Sequence, residues 1–209
     1  MSSENGYLAN DDVFESTKNK ILLISIKLFS QYGYNEVSMR EIAVAVGIKA
    51  SSIYNHFDSK QSILEAIYAF YDEQWKAAQP NIDDLLLMAE TEPPDKVMHY
   101  VHFDWKPELQ QVMDQIYVIA SREAMIHHEN IEQIKDLVMD RVKHIPRLLL
   151  NRMLELERIE PIDVEAFVTI LSLVTHSSTA LNHTPLNIDI DTRARCWSML
   201  MSIVKPTGK

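Results

Sequence analysis

The sequence predicts an all-α fold, with a small helix-turn-helix unit at its N-terminal end and a larger helical domain behind it. Three observations carry this. Apolar residues recur at three- and four-residue steps through most of the 209 residues, and no stretch alternates at the period of a half-buried strand. Glycine occurs only four times, which disfavours turn-rich β architectures and glycine-rich phosphate loops. Prolines, glycines and capping residues fall at the edges of the periodic runs, where helices begin and end.

Residues 1–15 read as a disordered acidic tail. A first helix begins near Thr17: Ile21, Ile24, Leu28 and Tyr32 form a stripe that Leu22, Ile26 and Phe29 widen. Gly33 ends it, at a position where a positive φ is cheap only for glycine. Ser38-Met39-Arg40-Glu41 has the form of a capping box, and Met39, Ile42, Ala43 and Val46 give the second helix its apolar side before Gly47 stops it. A third short helix is expected from Ala50 to His56. Asp58, paired with Gln61, offers the cap of a long fourth helix, with Ile63, Leu64, Ile67, Phe70, Tyr71 and Trp75 in overlapping stripes up to Pro80.

Beyond Pro80 the pattern stays helical and is punctuated by Pro93-Pro94 and Pro107. Val112, Ile116, Ile119 and Ala120 mark one amphipathic helix; Ile131, Ile134, Leu137, Val138, Arg141 and Val142 mark another that Pro146 kinks or ends. A helix over Leu148–Leu156 is expected to run on until Pro161. Two terminal helices follow, roughly Asp163–Asn182 and Asp189–Val204. The expected organisation is a tail over 1–15, a helix-turn-helix domain over 16–62 and a larger domain over 63–209.

Charge divides the chain in the same way. Ser16–Lys60 holds six basic and three acidic residues, whereas Gln61–Lys209 holds 14 basic and 23 acidic ones. Despite a net charge of −10, a small basic unit is therefore joined to an acidic body, and only the first approaches a polyanion at low electrostatic cost. Cys196 is the only cysteine, so an intramolecular disulfide and a cysteine zinc cluster are excluded, and a reducing, cytoplasmic compartment is expected. The N-terminal residues lack the basic start and apolar run of a signal peptide. The longest uncharged stretch, Ala166–Ile188, carries His176, Asn182, His183 and Pro185 and is a poor membrane span, so no membrane association is expected.

Two short helices joined through a glycine and braced by longer ones form a helix-turn-helix. A duplex major groove accepts one helix, whose outward side chains must be small or polar while a few apolar ones hold it to the core. Ile53 and Phe57 are placed to face inward; Ala50, Ser51, Ser52 and Asn55 are placed to face out. Tyr54 and His56 carry hydrogen-bonding groups suited to phosphate oxygens, and Ser38 and Lys60 stand at helix starts, where unpaired N–H groups favour anions.

The run Ile42-Ala43-Val44-Ala45-Val46-Gly47-Ile48, then Ile53-Tyr54-Asn55-His56-Phe57-Asp58-Ser59-Lys60, resembles the DNA-binding domain of TetR-type transcriptional regulators. Leu28-Phe29-Ser30-Gln31-Tyr32-Gly33-Tyr34 upstream and Ile63-Leu64-Glu65-Ala66 downstream fit the same pattern, over about residues 17–66. The resemblance implies an all-helical homodimer in which each head reads half of a palindromic double-stranded operator. It places Tyr54, His56 and the helix start around Lys60 on the phosphate backbone, and Lys49, Ala50, Ser51, Ser52 and Asn55 along the groove-facing stretch. Lys49 departs from the family's usual Ser or Thr, which weakens the third helix's cap or adds a phosphate or guanine contact. Ile24-Ser25 and Val46 differ from the family in core volume only.

The same resemblance implies that the larger domain binds a small-molecule effector and forms the dimer. Tyr100, Phe103, Trp105, Met113, Tyr117, Met125 and Phe167 either line an apolar effector cavity or fill the helical core, and His176 is the best polar candidate inside a pocket. The helix from Ala166 is apolar around most of its circumference and must be covered on two sides. Phe167, Ile170, Leu171 and Val174 with Trp197, Leu200 and Met201 are therefore the expected dimer interface, and a central core helix in a monomer is the alternative. His99, His102 and Asp104, the adjacent His127-His128, and His183 have ligating chemistry, but no cysteine supports a metal site, and no metal or other cofactor is expected.

The reading is a DNA-binding regulator, a repressor released when effector binding tilts the fourth helix and changes head separation. The alternatives are an enzyme built on the acidic domain, for which no nucleophilic, phosphate-loop or paired-carboxylate motif is found, and a module acting through protein contacts without operator recognition.

Overall fold

The structure is a computed structural model of the single chain and describes residues 16–99, 106–126, 140–181 and 189–208. The tail over 1–15 and most of the helix expected from Ile131 lie outside the described residues. Ten helices run through the described parts, with no β-strand; a single antiparallel bridge pairs Ile159 with Pro206.

α1 (Thr17–Tyr32) starts at Ser16, whose hydroxyl accepts the Asn19 N–H at 3.1 Å. It buries Ile21, Leu22, Ile26 and Phe29, and Gly33 (φ +94) closes it by donating its N–H to the Phe29 carbonyl. α2 (Met39–Val46) carries both halves of the expected capping box. Gly47 ends it in the left-handed region at φ +82, and the Ile48 N–H reaches back to the Ala43 carbonyl at 2.9 Å. α3 is shorter than expected, one turn over Ala50–Ile53, and residues 54–56 continue as tight turns. α4 spans Lys60–Ala78, and its cap sits one residue later than expected. Ser59 and Ser62 exchange backbone-to-hydroxyl bonds at 3.1 and 3.2 Å, while Asp58 and Gln61 take no part.

These four helices form one compact unit with α7 (Pro107–Ile126): α1 packs on α2, α4 and α7, and α4 also packs on α7. Ile26, Phe29, Ile42, Ile53, Ile63, Ile67, Met113, Ile116 and Ile119 are fully or almost fully buried. The Arg122 guanidinium donates to the Ser30 carbonyl at 2.7 Å, fastening α7 to the end of α1. Packing thus groups α7 with the N-terminal helices, although its sequence lies well inside the 63–209 region.

The second unit holds α5 (Ile82–Thr91), α6 (Pro94–His99), α8 (Arg141–Glu155), α9 (Val164–Leu181) and α10 (Ile190–Met201). Its core gathers Leu85, Met98, Leu149, Met153, Phe167, Val168, Leu171 and Leu200, among others. Pro146 sits buried inside α8 rather than ending it, at the cost of a single ladder bond. α8 stops at Glu155, earlier than Pro161 requires; Glu157 takes a left-handed φ of 52° there, and the chain turns back so that the Glu160 N–H meets the Lys205 carbonyl. Asp163 and Asp189 cap the last two helices through side-chain bonds of 3.0 and 2.8 Å.

Nothing lies within 4 Å of where a Cβ on Gly47 would sit, so a substitution there is opposed by backbone conformation alone. Gly47→Ala is expected to lower unfolding stability by about 1–2 kcal/mol, and Gly47→Asn by less, because asparagine visits the left-handed region more readily. Chemical denaturation of the two variants measures both.

Candidate nucleic-acid interface

The groove-facing stretch is organised around Ile53. Its side chain is completely buried, as is nearly all of Phe57, while Lys49, Ala50, Ser51, Tyr54 and Asn55 are exposed and Ser52 and His56 half-buried. The Ile53 carbonyl accepts the N–H groups of both His56 and Phe57 at 3.0 Å, which turns the chain immediately after one helical turn. Lys18 lies over the Phe57 ring with Nζ 5.5 Å from its centroid, pinning that anchor from α1. Tyr54 stands 53% exposed, an unusual state for a large aromatic side chain. Lys49 occupies the N-cap position of α3 and makes no side-chain cap bond. Its ammonium has no acceptor lone pair, so the first N–H groups of α3 get nothing from it.

At the start of α2, the Ser38 hydroxyl donates to the Glu41 carboxylate at 2.7 Å and accepts the Glu41 N–H at 3.2 Å. The same carboxylate takes the Ser38 N–H at 2.8 Å. These bonds, the side-chain one first, hold the Glu41 carboxyl below its ordinary value. The Ser38 hydroxyl proton is therefore committed within the helix cap, which leaves the next backbone N–H groups as what this helix start can offer a phosphate.

Lys60 has a different place from the one its charge implies. Its ammonium turns inward and donates to the carbonyls of Tyr34, Asn35 and Val37 at 2.7, 3.2 and 2.9 Å. It also sits 4.4 Å from the centroid of the Tyr34 ring. Tyr34 donates its hydroxyl to Gln61 Oε1 at 3.1 Å and packs edge-on against Phe29, with centroids 5.3 Å apart.

The expected effector residues are divided. Tyr100, Phe103 and Trp105 lie outside the described residues, as do the side chains of Met125 and His176. Met113, buried, and Tyr117, half-buried, belong to the unit of α1–α4 and α7, while Phe167 is buried in the core of the other. Sequence reasoning passed over three polar groups in the first unit. Asp114 and Glu123 on α7 are almost fully buried, with Gln110 donating to Asp114 at 2.6 Å. The hydroxyl of Tyr68 on α4 is buried without a hydrogen-bond partner, and burial, then the Glu123 charge, pushes its pKa well up. No periodicity marks these residues, since each sits on an otherwise apolar face.

The expected dimer residues also divide. Phe167, Leu171 and Leu200 are core, and Val174, Trp197 and Met201 pack partly against it. A helix apolar all round hides which stripe its own core uses. On these last two helices the exposed large apolar residues are Ile170 and Leu173 on α9 and Met199 on α10, with Ile203 just beyond it, at 47, 51, 71 and 45% exposure. Among the described residues no three His, Cys, Asp or Glu side chains converge to hold a metal, and no helix is long and apolar enough to cross a membrane. His102, Asp104, His127, His128 and His183 fall outside the described residues, as does the side chain of His99.

Residues 21–67 match the family of bacterial regulatory proteins of the tetR type. Over 133 residues the chain is 29% identical to the HTH-type negative transcriptional regulator of the biofilm operon icaADBC, IcaR, of Staphylococcus aureus (strain Newman), covering 62% of this chain and 68% of that one. The fold is similar to that of the ketosteroid transcriptional regulator KstR2 of Mycobacterium tuberculosis, at a TM-score of 0.54 and 17% identity over 91% of this chain and 96% of that one. It is likewise similar to a γ-butyrolactone receptor (ArpA-like protein), at 0.58 and 15% over 91% and 89%.

Two outcomes follow from the helix caps. Lys49→Ser is expected to raise stability by about 1 kcal/mol, by giving α3 the side-chain acceptor it lacks; urea unfolding measures this. Because the folded value of Glu41 is depressed, its contribution is complete above its ordinary pKa of 4.5 and is lost as pH falls through the lowered value. Ser38→Ala is expected to move the Glu41 carboxyl back up, as read by side-chain NMR titration.

Proposed function

The chain is a TetR-family DNA-binding transcriptional regulator, and from that premise we propose that it acts as a homodimeric repressor of a palindromic operator, released by a small-molecule effector. The observation that carries the proposal is the surface of α3. Four polar or small side chains and Lys49 are turned outward on a segment that Ile53 and Phe57 tie to the core. The surrounding residues 16–60 carry a positive net charge in an otherwise acidic chain. In this reading Lys49, Ala50, Ser51, Ser52 and Asn55 face the groove, while Tyr54, His56 and the free N–H groups at the starts of α2 and α4 meet phosphates. The repressing sense is supported by the role of IcaR as a negative regulator.

The head spans residues 16–62, and 63–209 serve effector binding and dimerisation. The second copy covers Ile170, Leu173, Met199 and Ile203; Ala166, Ile170 and Leu173 recur at helical spacing along one exposed face of α9. Effector response is supported by the ligand named for the γ-butyrolactone receptor and by the buried polar groups of α4 and α7. An unpartnered hydroxyl such as that of Tyr68 costs about 1–3 kcal/mol, and a ligand acceptor that meets it recovers that cost. An effector acts only by binding the two head spacings with different affinity. The protein acts in the cytoplasm, where its DNA is.

Selection of genomic fragments on the purified protein, followed by fluorescence anisotropy on the selected duplex, tests the reading. Lys49→Ala is expected to weaken binding to that duplex by about 1–3 kcal/mol, or roughly 5- to 160-fold. Leu173→Glu is expected to shift the species seen in sedimentation from dimer to monomer and to weaken operator binding with it. Retention of no fragment by the wild type counts against operator recognition and favours action through protein contacts.

A further inference from the structure

We propose that Lys60 is a positioning residue for DNA binding, its ammonium clasping the loop between α1 and α2 to the first turn of α4 instead of neutralising a phosphate. An ammonium has three N–H donors. Here three carbonyl oxygens, of Tyr34, Asn35 and Val37, lie within 2.7–3.2 Å of Nζ, and the face of the Tyr34 ring lies alongside. That donor set is complete without DNA. The carbonyls gain as much as the lysine. They belong to a loop that runs between two helices without a ladder of its own, and Val37 is almost fully buried, so its carbonyl needs a partner inside the protein.

Helix electrostatics points the same way. A cation in the first turn of α4 faces the positive end of the helix dipole, where it is ordinarily disfavoured. Turning the side chain back onto three carbonyl dipoles supplies the negative partial charge that the helix end lacks. Gln61, the next residue, adds a second tie through the Tyr34 hydroxyl. The clasp therefore ends at Val37, immediately before Ser38, the N-cap of α2. Through it the start of α2 is held in register with the start of α4, the two helix ends that the functional reading sets against the phosphate backbone. Lysine suits the place better than arginine. A compact, rotatable ammonium converges on three clustered oxygens, whereas a planar guanidinium directs its donors outward in a fixed fork.

The inference rests on the reading of residues 16–62 as a DNA-binding head, and the test separates the two. Wild type, Lys60→Met and Lys60→Arg, all full length, are compared by hydrogen exchange in the absence of DNA and by anisotropy on a mixed-sequence duplex across a salt series. The clasp predicts faster exchange over residues 33–41 in both variants and several-fold weaker duplex binding by Lys60→Met, with the dependence of log K on log salt unchanged. A slope reduced by about one in Lys60→Met, as for a lost phosphate contact, overturns it. So does wild-type exchange over 33–41 in both variants. If the wild type binds no duplex the head reading fails, and exchange still decides whether the clasp exists.

Discussion

A helix of four residues cannot hold itself. One turn fixes several dihedrals for a single ladder bond, and α3 lacks even a side-chain cap at Lys49. Its place is imposed entirely from outside. Ile53 supplies the imposition twice over: the side chain is fully buried, and the carbonyl gathers two N–H groups to turn the chain. Phe57 repeats the anchor one turn on, with Lys18 of α1 above its ring. Upstream, the left-handed turn at Gly47 brings α3 onto α2. The polar surface proposed to meet DNA is thus the outer side of a segment whose order is borrowed from α1 and α2. The broad apolar face of α1 matters to function for that reason.

Charge follows the same division. A body rich in carboxylates repels a polyanion everywhere except at the basic head, and non-productive contacts of the remainder with DNA are disfavoured. Within the head the acids are few, and Glu41 is spoken for by Ser38. Lys60 turns its positive charge onto the loop between α1 and α2, so in the proposed reading the exposed lysines and arginine of the head supply the long-range attraction to DNA.

The sequence made the helices of the head legible because three independent signals coincide there: an apolar stripe, a glycine stop and a capping box at Ser38–Glu41. The extent of α3 was less legible. Ile53 and Phe57 are four apart, as in a helix, and the tight turn that joins them keeps that spacing with three-residue bonds at Asn55 and His56 and one four-residue bond at Phe57. The cap of α4 moved from Asp58 to Ser59 because neighbouring residues offer the same chemistry, and only the backbone path chooses between them. Side-chain direction was illegible in principle. A lysine at a helix start reads as a free charge until the carbonyls of residues 34–37 are seen beneath it. The same holds for α9, where Phe167 and Leu171 face their own core while Ile170 and Leu173 between and beyond them do not.

The position of α7 bears on how such a head can be controlled. It is joined to α1 by a bond between residues 92 apart in sequence, Arg122 to Ser30, and it packs on α4 as well. A tilt of α4 alone would have to slide past α7, which is itself fixed to the end of α1. In the proposed reading, an effector that repacks α7 therefore acts on the head through α1 and α4 together. The buried groups along that interface favour such a response. The Tyr68 hydroxyl lacks a partner, and the Glu123 charge acts on both Tyr68 and Tyr34, the residue that receives the Lys60 clasp. An interface already carrying an unsatisfied hydroxyl and a buried carboxylate is less firmly committed to one arrangement than an apolar one. In the proposed reading, the contact of α7 with α1 and α4 is therefore the place at which a bound effector acts on the head.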